Sequence, residues 1–365
     1  MIRKLLIYSA LCIMVAVAAC NSDFEVNDKW EESPTIYCIL DRSQSMQYVK
    51  VNKSFLGNVP ASEMASVSDS LFYSCDVQVK LHRKQGKTVL KTWNFRAVDS
   101  IPKESGYFAS DRNTIWVGTP ELTDGFTYEL EVNIDNGRII AKGETEIVDG
   151  CSILVPDARA PKIELSRYSN DYSIKYNPGG NANLQETNVY FNYLEIKNTG
   201  DTVQKSINIY NNQSYKTSVN TYTAVELSFG VASLYSSMAA QINADDETVV
   251  KRLVRMNPNH NSSEQSITVA VSSGDENLYT YMQVTKPSSG IAQDRPIFTN
   301  VYVDESSKLN GGKAYGLVAS RCTELRNTAL GPETLDSISK GMYTKQLKFP
   351  PWTDNYYITH KPYNN

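Results

Sequence analysis

From about residue 34 the chain alternates apolar and polar positions in short runs separated by turn residues, the period-two pattern of half-buried strands. Residues 35–40 and 47–55 read as the first two strands, with residues 41–45 turning between them. Cys75, Val77, Val79 and Leu81 share one face of a third strand at 75–82, Gln85-Gly86-Lys87 turns the chain, and residues 88–95 return. Strands at 114–117, 126–134 and 138–148 make about seven in little more than a hundred residues, which is the spacing of a β-sandwich. Asp135-Asn136-Gly137 supplies residues that tolerate positive φ, so the last two strands are expected to form an antiparallel hairpin. Trp93 and Trp116 are candidates for the sandwich core.

Leu122, Gly125, Tyr128, Leu130 and Val132 resemble the tyrosine corner of immunoglobulin-like and fibronectin type III domains, in which the phenol bonds back to nearby backbone. Ordinary strand packing is the alternative for Tyr128. Gly150, Pro156, Asp157 and Pro161 then break the pattern, as a linker does. The expected division is an immunoglobulin-like β-sandwich over residues 34–149, a linker over 150–161, and a second β-rich domain with a few short helices over 162–365. The fold class is therefore mainly β.

In the second domain, residues 162–168 and 172–177 suggest a hairpin with a Pro178-Gly179-Gly180 loop after it, and residues 189–197 and 203–210 suggest strands turned by Asp201. Residues 227–242 are ambiguous, because Val231, Leu234, Met238 and Ile242 match helical spacing while the composition also suits a strand. Asp245 is expected to cap a short helix carrying Val249, Val250, Leu253 and Val254. Residues 266–271 form a clear alternating strand, and Asp275 opens a further short helix through Tyr279 and Met282. The tail segment Phe349-Pro350-Pro351-Trp352 lacks the ladder donors of a central strand, so it is expected to pack extended across the domain.

The first 33 residues carry a different pattern. Arg3 and Lys4 precede an apolar core too short to span a bilayer, and Val17-Ala18-Ala19-Cys20 closes it. Residues 1–19 therefore read as a lipoprotein signal peptide, with Val17, Ala18 and Ala19 as the lipobox and Cys20 as the lipidated residue. Residues 20–33 read as an acidic tether. Loss of Arg3 and Lys4 with the signal leaves 34 basic residues against 40 acidic ones, a net charge of −6 that argues against a nucleic-acid surface. Cys38, Cys75, Cys151 and Cys322 remain, too few for a disulfide scaffold, with a Cys38–Cys75 pairing and unpaired buried thiols both open. Tyrosine is abundant, 23 against 10 Phe, which suits both strands and binding surfaces.

With the lipobox and the sandwich pattern, the segments Phe298-Thr299-Asn300-Val301 and Asn310-Gly311-Gly312-Lys313-Ala314-Tyr315-Gly316-Leu317 resemble a group of Bacteroidetes outer-membrane lipoproteins classed as a domain of unknown function. That resemblance implies an N-terminal sandwich after the anchor and a closing strand pair with an Asn and a Gly-rich turn. It also implies association with outer-membrane nutrient transporters. Because lipoproteins of that group with acids beside the lipidated cysteine are exported to the cell surface, the resemblance also implies that location for the acids after Cys20, with the periplasmic face of the outer membrane as the other location.

Catalytic signals are sparse. His82, His260 and His360 share no metal-ligand spacing, and Asp245-Asp246-Glu247 reads as a helix start rather than a calcium loop. Trp30 and Trp352 suit edge packing or ring stacking. The expected function is a lipid-anchored, non-enzymatic binding or accessory component of the envelope, attached to the membrane through its lipid and partnered by an outer-membrane transporter or another envelope protein. No nucleic acid, no metal and no cofactor other than the lipid on Cys20 is expected. Two alternatives stay open: a surface glycan or peptide hydrolase using carboxylates from separate loops, and a structural or adhesion component that pairs through an exposed edge strand.

Overall fold

The computed structural model describes residues 32–55, 60–160, 162–215, 224–256, 264–286, 297–309, 312–351 and 356–358. The signal peptide, Cys20 with its lipobox, most of the tether, Trp30, His260, Gly311, Trp352 and His360 lie outside these residues. The described chain is mainly β, with one large mixed sheet system, a second small sheet and five short helices.

The sandwich forms where period-two alternation is strict. Strands β1 (Pro34–Asp41), β2 (Gln47–Lys53) and β5 (Ile115–Gly118) make one layer. The other layer holds β3 (Val77–Gln85), β4 (Thr88–Val98), β6 (Thr127–Ile134) and β7 (Ile139–Glu146). Strand β4 belongs to both layers, pairing Phe95 with Val79 of β3 and Ala97 with Trp116 of β5. Between the layers Ile36, Cys38, Leu40, Val49 and Val51 meet Val79, Leu81, Leu130, Val132 and Ile134. Trp116 is buried as expected, whereas Trp93 is half-buried and stacks on Tyr128. The β6–β7 turn takes the expected form, with Asp135, Asn136 and Gly137 all at positive φ. Tyr128 makes the corner: its hydroxyl accepts from the Thr123 backbone N–H at 2.9 Å and donates to the Glu121 carbonyl at 3.1 Å. Two short helices, α1 (Ala61–Ala65) and α2 (Ser68–Leu71), follow β2.

The second core is built differently. Three short strands, β8 (Ser152–Val155), β10 (Asp171–Asn177) and β13 (Val225–Gly230), form a small sheet in the order β13-β10-β8, with β9 (Lys162–Ile163) standing apart from it. Opposite lies β11 (Leu184–Lys197), paired along one edge with β12 (Thr202–Tyr215). Along its other edge β11 pairs first with β15 (Ile267–Gly274) and then with β14 (Val249–Met256), which β18 (Tyr356–Ile358) joins in parallel. Helix α3 (Val231–Gln241) begins directly after β13 and buries Val231, Leu234, Tyr235 and Met238. The ambiguous stretch 227–242 is thus strand before Gly230 and helix after it. Helix α4 (Glu276–Thr285) follows β15, and α5 (Pro332–Lys340) closes the second core with Leu335 and Ile338. Phe349 packs against Phe191 and Tyr193, so the described part of the tail does cross the domain.

Two local expectations are corrected. Residues 162–168 do not hairpin with 172–177, because β9 pairs with the far end of β17 (Tyr315–Leu330) and β10 pairs with β8 and β13. The backbone after β9 is satisfied instead by α5, where the Thr334 hydroxyl accepts from the Leu165 N–H at 2.6 Å and the Glu164 carboxylate accepts from the Thr334 N–H at 3.0 Å. The helix expected after Asp245 is the strand β14, since Asp246 turns the chain by accepting from the Thr248 N–H at 2.9 Å and Val249 then pairs with Lys197. Of the two described glycines in the 310–317 motif, Gly316 has the demanding conformation. Its φ is +127°, and a Cβ there would lie 1.7 Å from the Ile36 carbonyl oxygen.

That glycine sits in the strand joining the two cores. The first half of β17 runs parallel to β1, Thr35 opposite Tyr315 and Asp41 opposite Arg321, and its second half pairs antiparallel with β15. Strand β16 (Val301–Val303) adds to the edge of β7 in the other layer. The closing segments therefore pair with opposite layers of the N-terminal sandwich rather than with each other, and Val301, Ala314 and Val318 enter its core. Asn300 bridges the seam: its Oδ1 accepts from the Val318 N–H at 2.9 Å, and its Nδ2 donates to the Val318 carbonyl at 2.7 Å and the Glu144 carbonyl at 3.2 Å.

Candidate functional site

The chemistry-bearing surface gathers around α4, where the two cores meet. Asp275 starts the helix as the sequence suggests, its carboxylate accepting from the Leu278 N–H at 2.8 Å. The same carboxylate accepts from the Ser320 N–H of β17 at 3.0 Å and from the Thr145 hydroxyl of β7. A group 5 % exposed thereby ties the helix to both closing edges of the sandwich. Burial pushes its carboxyl up to about 6, against the opposing pull of the Thr145, Leu278 and Ser320 hydrogen bonds.

Beside it opens a cleft of about 230 Å³ lined by Glu146, Asn181, Asn183, Asp275, Glu276 and Asn277. Asn277 is anchored from behind, its Nδ2 donating to the Glu144 and Val318 carbonyls at 3.3 Å each. The cleft offers carboxylate and amide oxygens to a hydroxyl-rich or amine-bearing ligand. Asp275 is a poor acid–base catalyst there, since both of its oxygens already hold structural hydrogen bonds.

Along the same helix runs an aromatic face. Tyr281 meets Tyr37 of β1 edge to face at 6.3 Å between centroids, and Tyr279 meets Tyr215 of β12 at 5.4 Å. Lys286 stands over the Tyr215 ring at 4.6 Å. The strip continues over the outer side of the sandwich through Ile39, Met46 and Tyr48, with Tyr37 at 41 % and Tyr48 at 47 % exposure. Helix α4 itself has no buried residue. Half-exposed apolar side chains on one face make it a candidate binding surface.

Sequence reasoning placed the helix start at Asp275 and ran it through Tyr279, but assigned the capping to residues 272–274, whereas Asp275 itself caps, and it found none of their partners. The tyrosine excess was the available signal, and only the long-range pairing shows which tyrosines stay exposed. The other candidates fall elsewhere. His82 lies on β3 with Nδ1 2.8 Å from the Thr92 hydroxyl, and burial holds its pKa down. Asp246 accepts from Lys197 at 3.1 Å in a turn, not at a helix start. Among the described residues no group of three or more His, Cys, Asp or Glu is placed to hold a metal ion. Cys38, Cys75, Cys151 and Cys322 are all free thiols, and burial pushes those of Cys38 and Cys151 up to about 12. Among the described residues no helix is long and apolar enough to cross a membrane. Comparison of the chain with protein-family models and with curated proteins finds no match.

Proposed function

We propose that this protein is a lipid-anchored component of the bacterial outer membrane, held by an acyl group on Cys20, that binds a partner without catalysing a reaction. The observation that carries the reading is the half-exposed face of Tyr37, Ile39, Met46, Tyr48 and Tyr281 beside α4. Tyrosines supply large, rigid contact area with a polar tip at little entropic cost, which suits recognition by shape. The resemblance to Bacteroidetes outer-membrane lipoproteins supports an outer-membrane nutrient transporter as the partner, and the polar cleft supplies a place for a small part of the nutrient.

The test is cross-linking in live cells of the native host from a photoreactive residue at position 48. The reading expects a covalent adduct with an outer-membrane transporter, lost in Tyr37→Ser. Recovery of the protein as a lone species would contradict it. Cys20 is tested separately by the mass of the mature N-terminus, which should carry a diacylglyceryl group.

A further inference from the structure

The sandwich has two unlike ends, and β1 spans them. At its far end Asp41 pairs with Arg321 at 2.7 Å, where β17 passes toward the second core. At its near end the tether joins the fold: the Ser54 N–H donates to the Ser33 carbonyl at 2.8 Å, and Arg138 clamps Glu32 through two bonds of 2.8 and 2.9 Å. Only 12 positions separate Glu32 from Cys20, a reach of roughly 40 Å when fully extended. The near end is therefore confined to the neighbourhood of whatever surface holds the anchor.

At that near end stands a small lobe made of α1, α2 and the loop from Asp99 to Thr114. It has its own core of Leu71, Phe72 and Ala109, separate from the sandwich core. It is tied down by the Asn52 Nδ2 donating to the Leu71 carbonyl at 3.2 Å and by the Ala109 N–H donating to the Ala65 carbonyl at 2.8 Å. Its outer side carries Tyr107 at 87 % exposure, Phe108 at 54 % and Val67 at 50 %. Lys103 covers the Phe108 ring at 5.4 Å, and Lys50 and Arg112 cover Phe72 at 4.6 and 5.2 Å. The three cations share the lobe with Glu63, Asp69, Asp99, Glu104 and Asp111, which leaves it a net charge of −2.

We propose that this lobe is a second membrane contact, with Tyr107 and Phe108 seated among the headgroups of the bilayer that holds the Cys20 anchor. The inference rests on the lipid-anchor reading and adds an orientation to it. Aromatic side chains with an apolar body and a polar tip favour the membrane interface, and Lys103 can keep its ammonium in water while its stem lies against Phe108. Two rings alone hold weakly, but the tether makes their insertion an intramolecular event. With a net negative charge the lobe gains nothing from anionic lipid, so zwitterionic lipid is the surface to test. Seating this end on the membrane places Tyr37, directly opposite Lys50, on the membrane side of the α4 face and leaves Ile39, Met46 and Tyr48 farther out toward a partner.

The experiment uses the full lipidated protein in phosphatidylcholine vesicles with brominated acyl chains, comparing Tyr107→Trp with the unsubstituted protein, whose own Trp emission is subtracted. Tyr107 makes so little contact with the fold that the substitution leaves folding intact. The inference expects the added emission to be blue-shifted, lost in brominated vesicles and shielded from aqueous acrylamide, while Tyr48→Trp stays accessible to acrylamide. A protein that floats with the vesicles but leaves the residue at 107 open to acrylamide and insensitive to bromine overturns this inference alone. A protein that does not float overturns the anchor reading and this inference with it.

Discussion

The two cores solve the same problem with different materials. The sandwich buries a mainly aliphatic interior between strands that each keep one face in water, and its fully buried Tyr128 spends its hydroxyl on its own corner. The second core buries both faces of β11 along much of its length, gathers Tyr176, Phe191, Tyr193, Phe229, Tyr235 and Phe349, and encloses an ion pair. Arg252, 1 % exposed, donates from Nε to Glu195 at 3.0 Å, from Nη1 to the Leu347 carbonyl at 2.9 Å and from Nη2 to the Asn243 carbonyl at 2.7 Å. A core of alternating strands tolerates local change because each strand contributes a simple half. One organised around a buried cation depends on every partner being present.

The shared strand β17 makes the sharpest break in that contrast. Gly316→Ala forces a methyl into the Ile36 carbonyl at a φ that side chains avoid, so a loss on the order of 4 kcal/mol or failure to fold is expected, read by chemical denaturation. Although the site lies in the sandwich, both cores should lose stability together.

Arg252→Ala should cost about 3 kcal/mol, because Glu195 loses its buried partner and keeps only the more exposed Lys197 at 3.5 Å, while the Leu347 and Asn243 carbonyls lose their donor. Replacing the pair by Arg252→Met with Glu195→Leu should recover only part of that loss. The Leu347 and Asn243 carbonyls would still lack their donor, and denaturant midpoints of the two variants measure the difference.

The joint at Asp275 should respond to pH. Its folded pKa is raised to about 6 from 3.8, so its contribution is fully present below about pH 4 and is lost as pH rises through 6. The loss is on the order of 2–3 kcal/mol. Asp246 and Asp304, both held down to about 2, contribute the opposite way, but their window lies below pH 4. His82, whose pKa is lowered, also opposes Asp275 as pH falls below the usual imidazole range. The Tm difference between the unsubstituted protein and Asp275→Asn, followed from pH 4 to 7.5, isolates the carboxyl and should shift in favour of Asn as pH rises. The smallest effect is at the corner. Tyr128→Phe removes two hydrogen bonds while keeping the ring, and should lower stability by about 1–2 kcal/mol.

The same contrast explains what could be read from the residues. In the sandwich, one-sided burial writes itself into the alternation of β6, and Asp135-Asn136-Gly137 names its own turn. Nothing local marks β11 as the central strand of its sheet, and the Val249 to Val254 spacing that suggests a helix belongs to a strand whose Arg252 is buried by distant carbonyls. The Asn300 motif was visible as a pattern, but its work, bridging β7 to β17, depends on pairings across more than 150 residues. The α4 surface was legible only as a helix start at Asp275 and an excess of tyrosine, since Tyr37 and Tyr281 meet through β17.

The central claim is that β17 makes the two cores one cooperative body, holding α4 rigidly at their junction. Native-state hydrogen exchange measures this directly. The account predicts that the most protected amides of β3 and β6 and those of β11 and β15 open with the same free energy and the same denaturant dependence. Protection that persists in the sandwich while β11 and β15 exchange through a separate, lower-energy opening would contradict it.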